Sequence, residues 1–445
     1  MTNPLIGIDP EAVADAYHAR GLERLSDLSL LGHVCDRLHA PKGETSSFTL
    51  HAPLEALARY SLLEMAAPEA RTAARIRLTH LAARYEALGN ALNPAPTYDG
   101  PQSTTAALAV LRAAIAAGDM DAADSAMTWL AGATNPADIL AGLTEFVFDY
   151  LGAAAHVPIY LYLAARSGPL AASLSLRAVR VYARQLAFEA DARIQTQPDG
   201  PGGAWEAQPA AAFEASYWRA MATTPRLENA SFNGIAPIVQ ETESAGLPHR
   251  LLAGGWRGAA ETPETWNAAL RGMVRAAADS MVQDTAAHAK LGWTHCLTIP
   301  QAVWAVAPMV RDPLAAVRFA SVLTLAFRAG LGQHELSDTL DLPDPKLDIS
   351  EALTADPQTA AASAYHAAGR DEDGLRTVLA TGAAVRADTH LVKFTLAALD
   401  TARMDRKAAP VYYAGAAYLL SIWMREDESD PLLAELDAPG LPLGA

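Results

Sequence analysis

Apolar residues recur at intervals of three and four positions in about a dozen stretches of the chain, the spacing of one face of an α-helix. β-branched runs are scarce, and Gly and Pro fall at the edges of the stretches, so local propensity favours helix. The clearest stretches cover residues 54–66, 70–88, 104–118, 136–152, 157–192, 264–292, 313–330, 388–403 and 408–424. Most of the connections are short, and no fixed-period repeat is present. The pattern therefore predicts an all-α fold, a single large domain of packed antiparallel helices.

Three segments depart from this pattern. Residues 195–210 are rich in Pro and Gly, which predicts a surface loop or lid, and residues 225–262 form a second irregular region. Residues 426–445 form an acidic tail that contains Pro and Gly and is expected to pack as an arm or to fray. We therefore divide the chain into a helical domain over residues 1–425, with the loop inside it, and a C-terminal tail.

Composition narrows the possible partners and location. The chain has 445 residues, and 51% of them are apolar, enough to fill a sizeable core. Its formal charge of −16 disfavours nucleic acid and anionic membrane surfaces as partners. The N-terminus lacks the basic region and apolar run of a signal peptide, and Arg, His or Pro interrupts the most apolar stretches. We expect a cytoplasmic protein.

The motifs of several common chemistries are missing from the sequence. Cys35 and Cys296 are its only cysteines, so a metal would have to be held by nitrogen and oxygen. No G-x-G-x-x-G or P-loop pattern supports flavin or NAD(P) binding, and no G-x-S-x-G elbow supports serine hydrolysis. Burial in an apolar segment should raise the pKa of Cys296 and make its thiol inert.

Four histidines lie in apolar settings, where a desolvated imidazole needs a hydrogen-bond partner or a metal. His51 and His156 are each followed by Pro two residues later, which suggests a helix start or kink beside the ring. His295 lies in an apolar segment, and His390 precedes Lys393 by three residues, on one helix face. The alternative is that each histidine bonds a backbone carbonyl in the core and that the Lys393 stem reaches to the surface.

The segments that carry these residues resemble blocks of the questin oxidase family, whose members occur in polyketide pathways. The clearest blocks read HLVKFTLAALDTARM, VYYAGAAYLLSIW and THCLTIPQAVW. The resemblance implies an all-helical enzyme that cleaves an anthraquinone ring with O₂ at a non-haem Fe(II), although other members are Baeyer–Villiger-type oxidases. By position, the family's four histidines and carboxylated lysine correspond to His51, His156, His295, His390 and Lys393.

Such a ligand set is chemically coherent. Imidazole suits iron, zinc, copper and nickel alike, so the histidines do not select the metal. Four neutral imidazoles would leave the full charge of a divalent ion in a low-dielectric interior, and carboxylation of Lys393 would supply an anion. Five protein ligands would leave one octahedral position, so we expect a substrate to lie beside the metal.

Neighbouring residues suggest how a substrate would be held. Thr298 and Gln301 are candidate catalytic residues that could form hydrogen bonds to a phenol or quinone oxygen. Aromatic residues close in sequence to the predicted ligands suggest an apolar substrate pocket; they are Trp293, Trp304, Tyr160, Tyr162 and Phe394. These aromatic residues could equally be ordinary core residues.

The sequence thus predicts a non-haem iron oxygenase that oxidises or cleaves a polycyclic aromatic or quinone-like natural product, with that substrate and O₂ as its partners. One alternative is an oxygenase without a cofactor, in which the histidines act as bases. Another is a zinc-dependent hydrolase or lyase, and a third is a non-catalytic helical binding protein. The substrate and the oligomeric state stay open.

Overall fold

The computed structural model describes residues 2–133, 135–194, 238–240, 262–331, 337, 339–426 and 430–436. Within these ranges the regular elements are helices, and the only β interaction is an isolated bridge between Lys42 and Ala91. The predicted all-α fold is therefore confirmed. The predicted loop 195–210, most of 225–262 and most of the C-terminal tail lie outside the described residues.

The N-terminal part of the chain forms ten α-helices up to residue 188, with short 3₁₀ turns in some of the connections between them. They are α1 (Val13–Ala19), α2 (Asp27–Leu38), α3 (Ser47–Leu63), α4 (Arg71–Ala87), α5 (Thr104–Ala117), α6 (Met120–Ala133), α7 (Pro136–Leu143), α8 (Val157–Arg166), α9 (Pro169–Ser175) and α10 (Arg180–Phe188).

From residue 263 onward the described helices are longer on average. They are α11 (Pro263–Gln283), α12 (Thr294–Val306), α13 (Pro313–Leu331), α14 (Ile349–Ala355), α15 (Pro357–Ala367), α16 (Glu372–Val385), α17 (Thr389–Met404), α18 (Ala409–Glu426) and α19 (Pro431–Glu435). A short helical turn, Ala286–His288, and a π-helical turn, Ala289–Trp293, lie between α11 and α12.

Four predicted helical stretches end or begin elsewhere than their periodicity suggested. Helix α3 begins before residue 54 because a capping box of Ser46 and Thr49 starts it, and Pro53 lies inside it at the cost of one backbone hydrogen bond. The 136–152 stretch is helical only to Leu143 before irregular turns. Gly168, with φ of +85°, and the following Pro interrupt 157–192. Extended backbone at Asp284 divides 264–292.

Proximity of Cα atoms divides the chain into two compact helical units. The first unit comprises the described residues of Met1–Ala192, Ala380–Val392 and Asp427–Leu441. Within it, α3 packs against α2, α4 and α8, and α10 packs against α5 and α6. Helix α3 is thus surrounded by other helices, and nearly all of its side chains are buried.

The second unit comprises the described residues of Arg193–Leu379 and Lys393–Glu426. Within it, α11 packs against α12, α13 and α18, and α15 packs against α14 and α18. Helix α12 is buried along most of its length. In the part of the chain that the structure describes, every helix is too short or too polar to cross a membrane.

Candidate metal centre

One face of the buried helix α3 carries three polar side chains. His51, Glu55 and Arg59 follow one another at intervals of four residues, so all three project from neighbouring positions on that face. Each is at most 5% exposed. Burying one imidazole and two charged groups on a mostly apolar helix is costly unless each is well paired, so this face is a candidate functional site.

Glu55 and Arg59 connect α3 to the segment that leads into α17. Arg59 Nε donates to Glu55 Oε1 at 2.7 Å, and its other nitrogens donate to the carbonyls of Ala384 and Arg386 at 2.8 and 2.7 Å. Glu55 also accepts a hydrogen bond from the hydroxyl of Thr389, the first residue of α17. The buried ion pair therefore fixes the start of α17, and with it His390, to the helix that carries His51.

Three of the predicted ligands meet within the first unit. The His51 ring lies 4.3 Å from the His156 ring and 4.6 Å from the His390 ring, measured between centroids. His51 and His156 are 4% and 1% exposed. His51 is therefore the central member of a cluster of imidazoles contributed by α3, the start of α8 and the start of α17.

Hydrogen bonds orient two of these rings for metal binding through Nε2. The Nδ1 atoms of His51 and His156 lie 2.6 Å from the Ser47 carbonyl and 3.1 Å from the Ala153 carbonyl. A carbonyl can only accept, so Nδ1 carries the proton and Nε2 of the neutral ring keeps its lone pair. A ligating histidine commonly has this arrangement. In the third ring, His390 Nδ1 lies 3.6 Å from Asp388 Oδ2.

The backbone before His156 has an unusual conformation. Ala153, Ala154 and Ala155 have φ angles of +54°, +52° and +55°, in the left-handed region. For a residue with a Cβ this region costs about 1–2 kcal/mol, so three in succession store appreciable strain. Such strain concentrates at functional sites. Here it places His156 at the N-terminal end of α8, with Pro158 in the first turn.

Contacts with the end of α10 hold this left-handed turn in place. Glu189 Oε2 accepts a hydrogen bond from the Ala153 N–H at 2.7 Å, and the Leu151 N–H donates to the Ala192 carbonyl at 2.8 Å. Gly152 allows the close approach, because a Cβ at that position would lie 3.2 Å from Glu189 Cβ and 3.3 Å from Leu186 Cα. The strained turn is thus stabilised by contacts with Glu189 and Ala192, which lie outside it.

His295, the fourth predicted histidine ligand, is also buried, at 6% exposure, and lies in the first turn of α12. Its ring stacks on Phe327 of α13, with centroids 5.1 Å apart and the planes inclined by only 4°. His295 belongs to the second unit, and its assignment as a metal ligand stays a prediction.

Lys393 has the environment that the predicted ligand set requires. It lies one helical turn after His390 in α17 and is only 2% exposed, so the alternative that its stem carries the amine to the surface is wrong. A buried lysine is unusual unless it is paired or modified. The structure is therefore compatible with Lys393 as a ligand, and its carboxylation stays a prediction.

The segment that precedes His295 is anchored by a buried carboxylate. Asp284 Oδ2 accepts a hydrogen bond from Trp293 Nε1, and its Oδ1 lies near Nδ1 of His288, both at 2.9 Å. These contacts span the π-helical turn, an element that is frequent at functional sites.

Burial raises the pKa of the neighbouring Cys296 thiol well above its ordinary value, so Cys296 is an inert core residue as expected.

The two predicted catalytic residues differ in their surroundings. The Thr298 hydroxyl donates to the Thr294 carbonyl at 2.8 Å, within its own helix, so it is already engaged. Gln301 is fully buried, and neither its amide oxygen nor its nitrogen has a hydrogen-bond partner among the described residues. Leaving such groups unpaired is costly, which makes Gln301 the better candidate for a ligand contact.

The predicted pocket aromatics are all buried, and the contacts described for three of them are typical of core residues. The Tyr160 hydroxyl bonds Ser175 Oγ at 2.8 Å, and its ring lies 5.8 Å from that of Tyr182. Trp293 is held by Asp284, and the Phe394 ring would lie 3.6 Å from a Cβ at Gly415. The lining role of these residues, and of Trp304 and Tyr162, stays a prediction.

Sequence reasoning missed the groups that support the histidines. Glu55 and Arg59 were visible as two charged residues in an apolar helix, four and eight positions after His51, and that spacing was the available signal. The left-handed turn of Ala153–Ala155 had no signal, because nothing in a run of alanines suggests positive φ.

The structure thus brings together His51, His156 and His390 as rings in contact within the first unit. Such a histidine cluster can bind a metal ion, and its imidazoles suit several metals. No family model, no curated protein and no solved structure matches the chain.

Proposed function

We propose that this protein is a metal-dependent oxygenase in which the histidine cluster holds Fe(II). The observation that carries the proposal is the contact of three imidazoles in the first unit, two of them buried and donating through Nδ1 to carbonyls. Core histidines would also donate to carbonyls in this way, so the support for a metal comes from the contact among the three imidazoles. The sequence resemblance to questin oxidases supports the choice of iron and of O₂ chemistry.

In this proposal His51, His156, His295 and His390 are the nitrogen ligands, and Lys393 in carboxylated form is the oxygen ligand. The burial of Lys393 supports the assignment, because desolvation favours the neutral amine that attacks CO₂. Glu55 balances the charge of Arg59 beside the cluster, so these two residues add no net charge there. An anionic fifth ligand would then offset part of the charge of a divalent ion.

The bound ion would supply a redox-active centre for the reaction of O₂ with an electron-rich aromatic substrate. The chain's own contribution is to position that centre and exclude water from it. Helices α3 and α8, which carry His51 and His156, consist mostly of buried apolar residues, and such an environment strengthens electrostatic interactions and suppresses side reactions. Gln301 would orient a phenol or quinone oxygen of the substrate, which we propose is polycyclic.

The metal content of protein purified without air tests this proposal. We expect about one iron per chain, and near-complete loss of iron in His390→Ala, because one ligand of a buried site is removed. The matched control is His366→Ala on α15, which removes a partly exposed histidine from outside the cluster and should leave the iron content unchanged. Equal metal loss in both variants would point to general misfolding instead.

The identity of the metal separates the proposal from its alternatives. Zinc in place of iron, with activity that persists without O₂, would favour a hydrolase or lyase. Protein that lacks metal but still consumes O₂ with an aromatic substrate would favour the cofactor-free oxygenase. If the protein holds no metal and His390→Ala leaves ligand binding intact, a binding protein is the better description.

A further inference from the structure

The backbone between α16 and α17 is held by arginine side chains from α3 and α4. The carbonyls of four consecutive residues, 384–387, each accept a hydrogen bond from Arg59 or Arg77. Arg59 of α3 binds three of them, and Arg77 Nε of α4 donates to the Val385 carbonyl at 2.6 Å. The last carbonyls of a helix lack partners within it and lie at the negative end of its dipole, so cations suit this position. The two buried arginines therefore fix the end of α16 within the first unit.

The two arginines differ in the origin of their carboxylate partners. Arg59 pairs with Glu55, one turn earlier on the same helix, whereas Arg77 Nη2 pairs with Asp430, which follows it by 353 residues in sequence. The side chains of Arg77 and Asp430 are 1% and 11% exposed, so solvent screens this pair only weakly. Weakening such a pair is costly, because the guanidinium stays in a low-dielectric interior. The position of Arg77 therefore depends on Asp430.

Asp430 is itself held in place by the C-terminal helix α19. It is the N-cap of that helix, and its Oδ1 accepts a hydrogen bond from the Leu433 N–H at 3.3 Å. Leu432, Leu433 and Leu436 are buried, and the segment belongs to the first unit. Burial of these leucines stabilises the docked helix. The carboxylate of Asp430 is thus presented to Arg77 by a packed element of the fold.

The surroundings of this ion pair are positively charged. His80 follows Arg77 by three residues on α4, and its pKa is lowered to about 4, first by burial and then by the charges of Arg77, Arg84 and Arg59. Asp430 acts on His80 in the opposite direction. Its carboxylate thus offsets part of the positive charge that α3 and α4 place here, and losing it would increase the repulsion among these groups.

The chain runs from the four bonded carbonyls directly to His390. Asp388 Oδ1 accepts a hydrogen bond from the Leu391 N–H at 2.8 Å, and the Thr389 hydroxyl donates to Glu55. Every residue from 384 to 389 therefore takes part in at least one hydrogen bond that fixes the start of α17. A displacement of Arg77 that releases the Val385 carbonyl should be transmitted along this segment to the imidazole.

We propose that Arg77 and Asp430 are positioning residues that hold His390 in the histidine cluster. The inference rests on the proposed metal centre and adds the C-terminal helix α19 to the parts that the centre requires. Asp430 orients Arg77, Arg77 holds the segment that begins α17, and that segment keeps the His390 ring beside the ring of His51. Loss of the Asp430 charge should therefore loosen the start of α17 and speed the release of the metal.

Amide hydrogen exchange of the metal-free full chain tests the link between Asp430 and His390. It is measured by mass spectrometry on peptides that cover residues 384–392. In Asp430→Asn we expect exchange there to be faster by about tenfold, because the hydrogen bond to Arg77 loses one of its two charges. Asparagine caps a helix about as well as aspartate, so α19 should persist. Asp430→Glu keeps the carboxylate and should restore most of the protection.

The matched control is Asp27→Asn. Asp27 pairs with Arg75, which lies on the same helix as Arg77 but donates to two carbonyls just before α2. This substitution weakens another ion pair of α4 and should leave the exchange of residues 384–392 as it is in the unaltered protein. Equal acceleration in both variants would indicate general destabilisation and would overturn the proposal.

The rate at which bound Fe(II) passes to the chelator ferrozine is the second readout. We expect this rate to rise by about tenfold in Asp430→Asn and to stay unchanged in Asp27→Asn. Faster exchange with unchanged iron release would mean that Asp430 stabilises the fold without positioning His390, which would overturn the proposal. If the unaltered protein binds no iron, the proposed oxygenase fails, while the exchange of residues 384–392 still decides whether Asp430 acts on His390.

Discussion

Two histidines that lie in contact are held in opposite ways. His51 is part of a regular helix that begins with a capping box and continues through Pro53, and its support is a buried ion pair on the same helix face. His156 follows three alanines in the left-handed region, held by a hydrogen bond to the side chain of Glu189. The first arrangement follows from local preferences, whereas the second opposes them and depends on residues distant in sequence.

The comparison indicates where each site is vulnerable. Around His51 the backbone is unstrained, and the unfavourable contribution is the burial of the charges of Glu55 and Arg59. Removing one of these charges should therefore destabilise the protein strongly. Around His156 the backbone itself is strained, so relaxing it should stabilise the protein, and removing its outside support should loosen the ring. Three substitutions test this contrast, each measured by urea unfolding and by iron content.

The largest effect is expected from Arg59→Met. It leaves Glu55 buried at 5% exposure without its cation and removes the Arg59 donor from three carbonyls, which should lower the free energy of unfolding by about 3–5 kcal/mol. The additional change Glu55→Leu should recover part of this loss. The exposed pair of Arg177 and Asp36 is the control, and Arg177→Met should cost less than about 1 kcal/mol. Equal costs at the two sites would contradict the role given to the buried pair.

Glu189→Ala should have an intermediate effect. It removes the acceptor of the Ala153 N–H and should lower the free energy of unfolding by about 1.5–2 kcal/mol. Iron content should fall as well, since the turn that places His156 loses its support. Glu189→Gln keeps an acceptor oxygen and should restore most of both quantities. A loss of stability with unchanged iron content would mean that Glu189 supports the fold but does not position His156.

The smallest effect, and the one with an unusual sign, is expected from Ala154→Gly. Glycine adopts positive φ at little cost, so the substitution should raise the free energy of unfolding by about 1 kcal/mol. Ala109→Gly, at an exposed position within α5, should instead lower it by about 1 kcal/mol. Changes of the same sign at both positions would show that the left-handed turn stores no strain.

Much of the candidate site was accessible from the sequence. The four histidines and Lys393 were selected because a buried polar group needs a partner. His51, His156, His295 and Lys393 are indeed buried, and His390 lies in the imidazole cluster. The distinction between Thr298 and Gln301 was not accessible. It depends on whether each group finds a hydrogen-bond partner, and partners come from tertiary neighbours.

What the sequence by itself determined is the class of fold and the helices with strong periodicity, because a helix forms from hydrogen bonds and side-chain spacing within one segment. Only the tertiary structure decided that His51, His156 and His390 meet, since they are separated by more than a hundred residues at each step. It also decided the conformation of Ala153–Ala155. A backbone held against its own preference depends on contacts from elsewhere in the fold, and these have no signature in the local sequence.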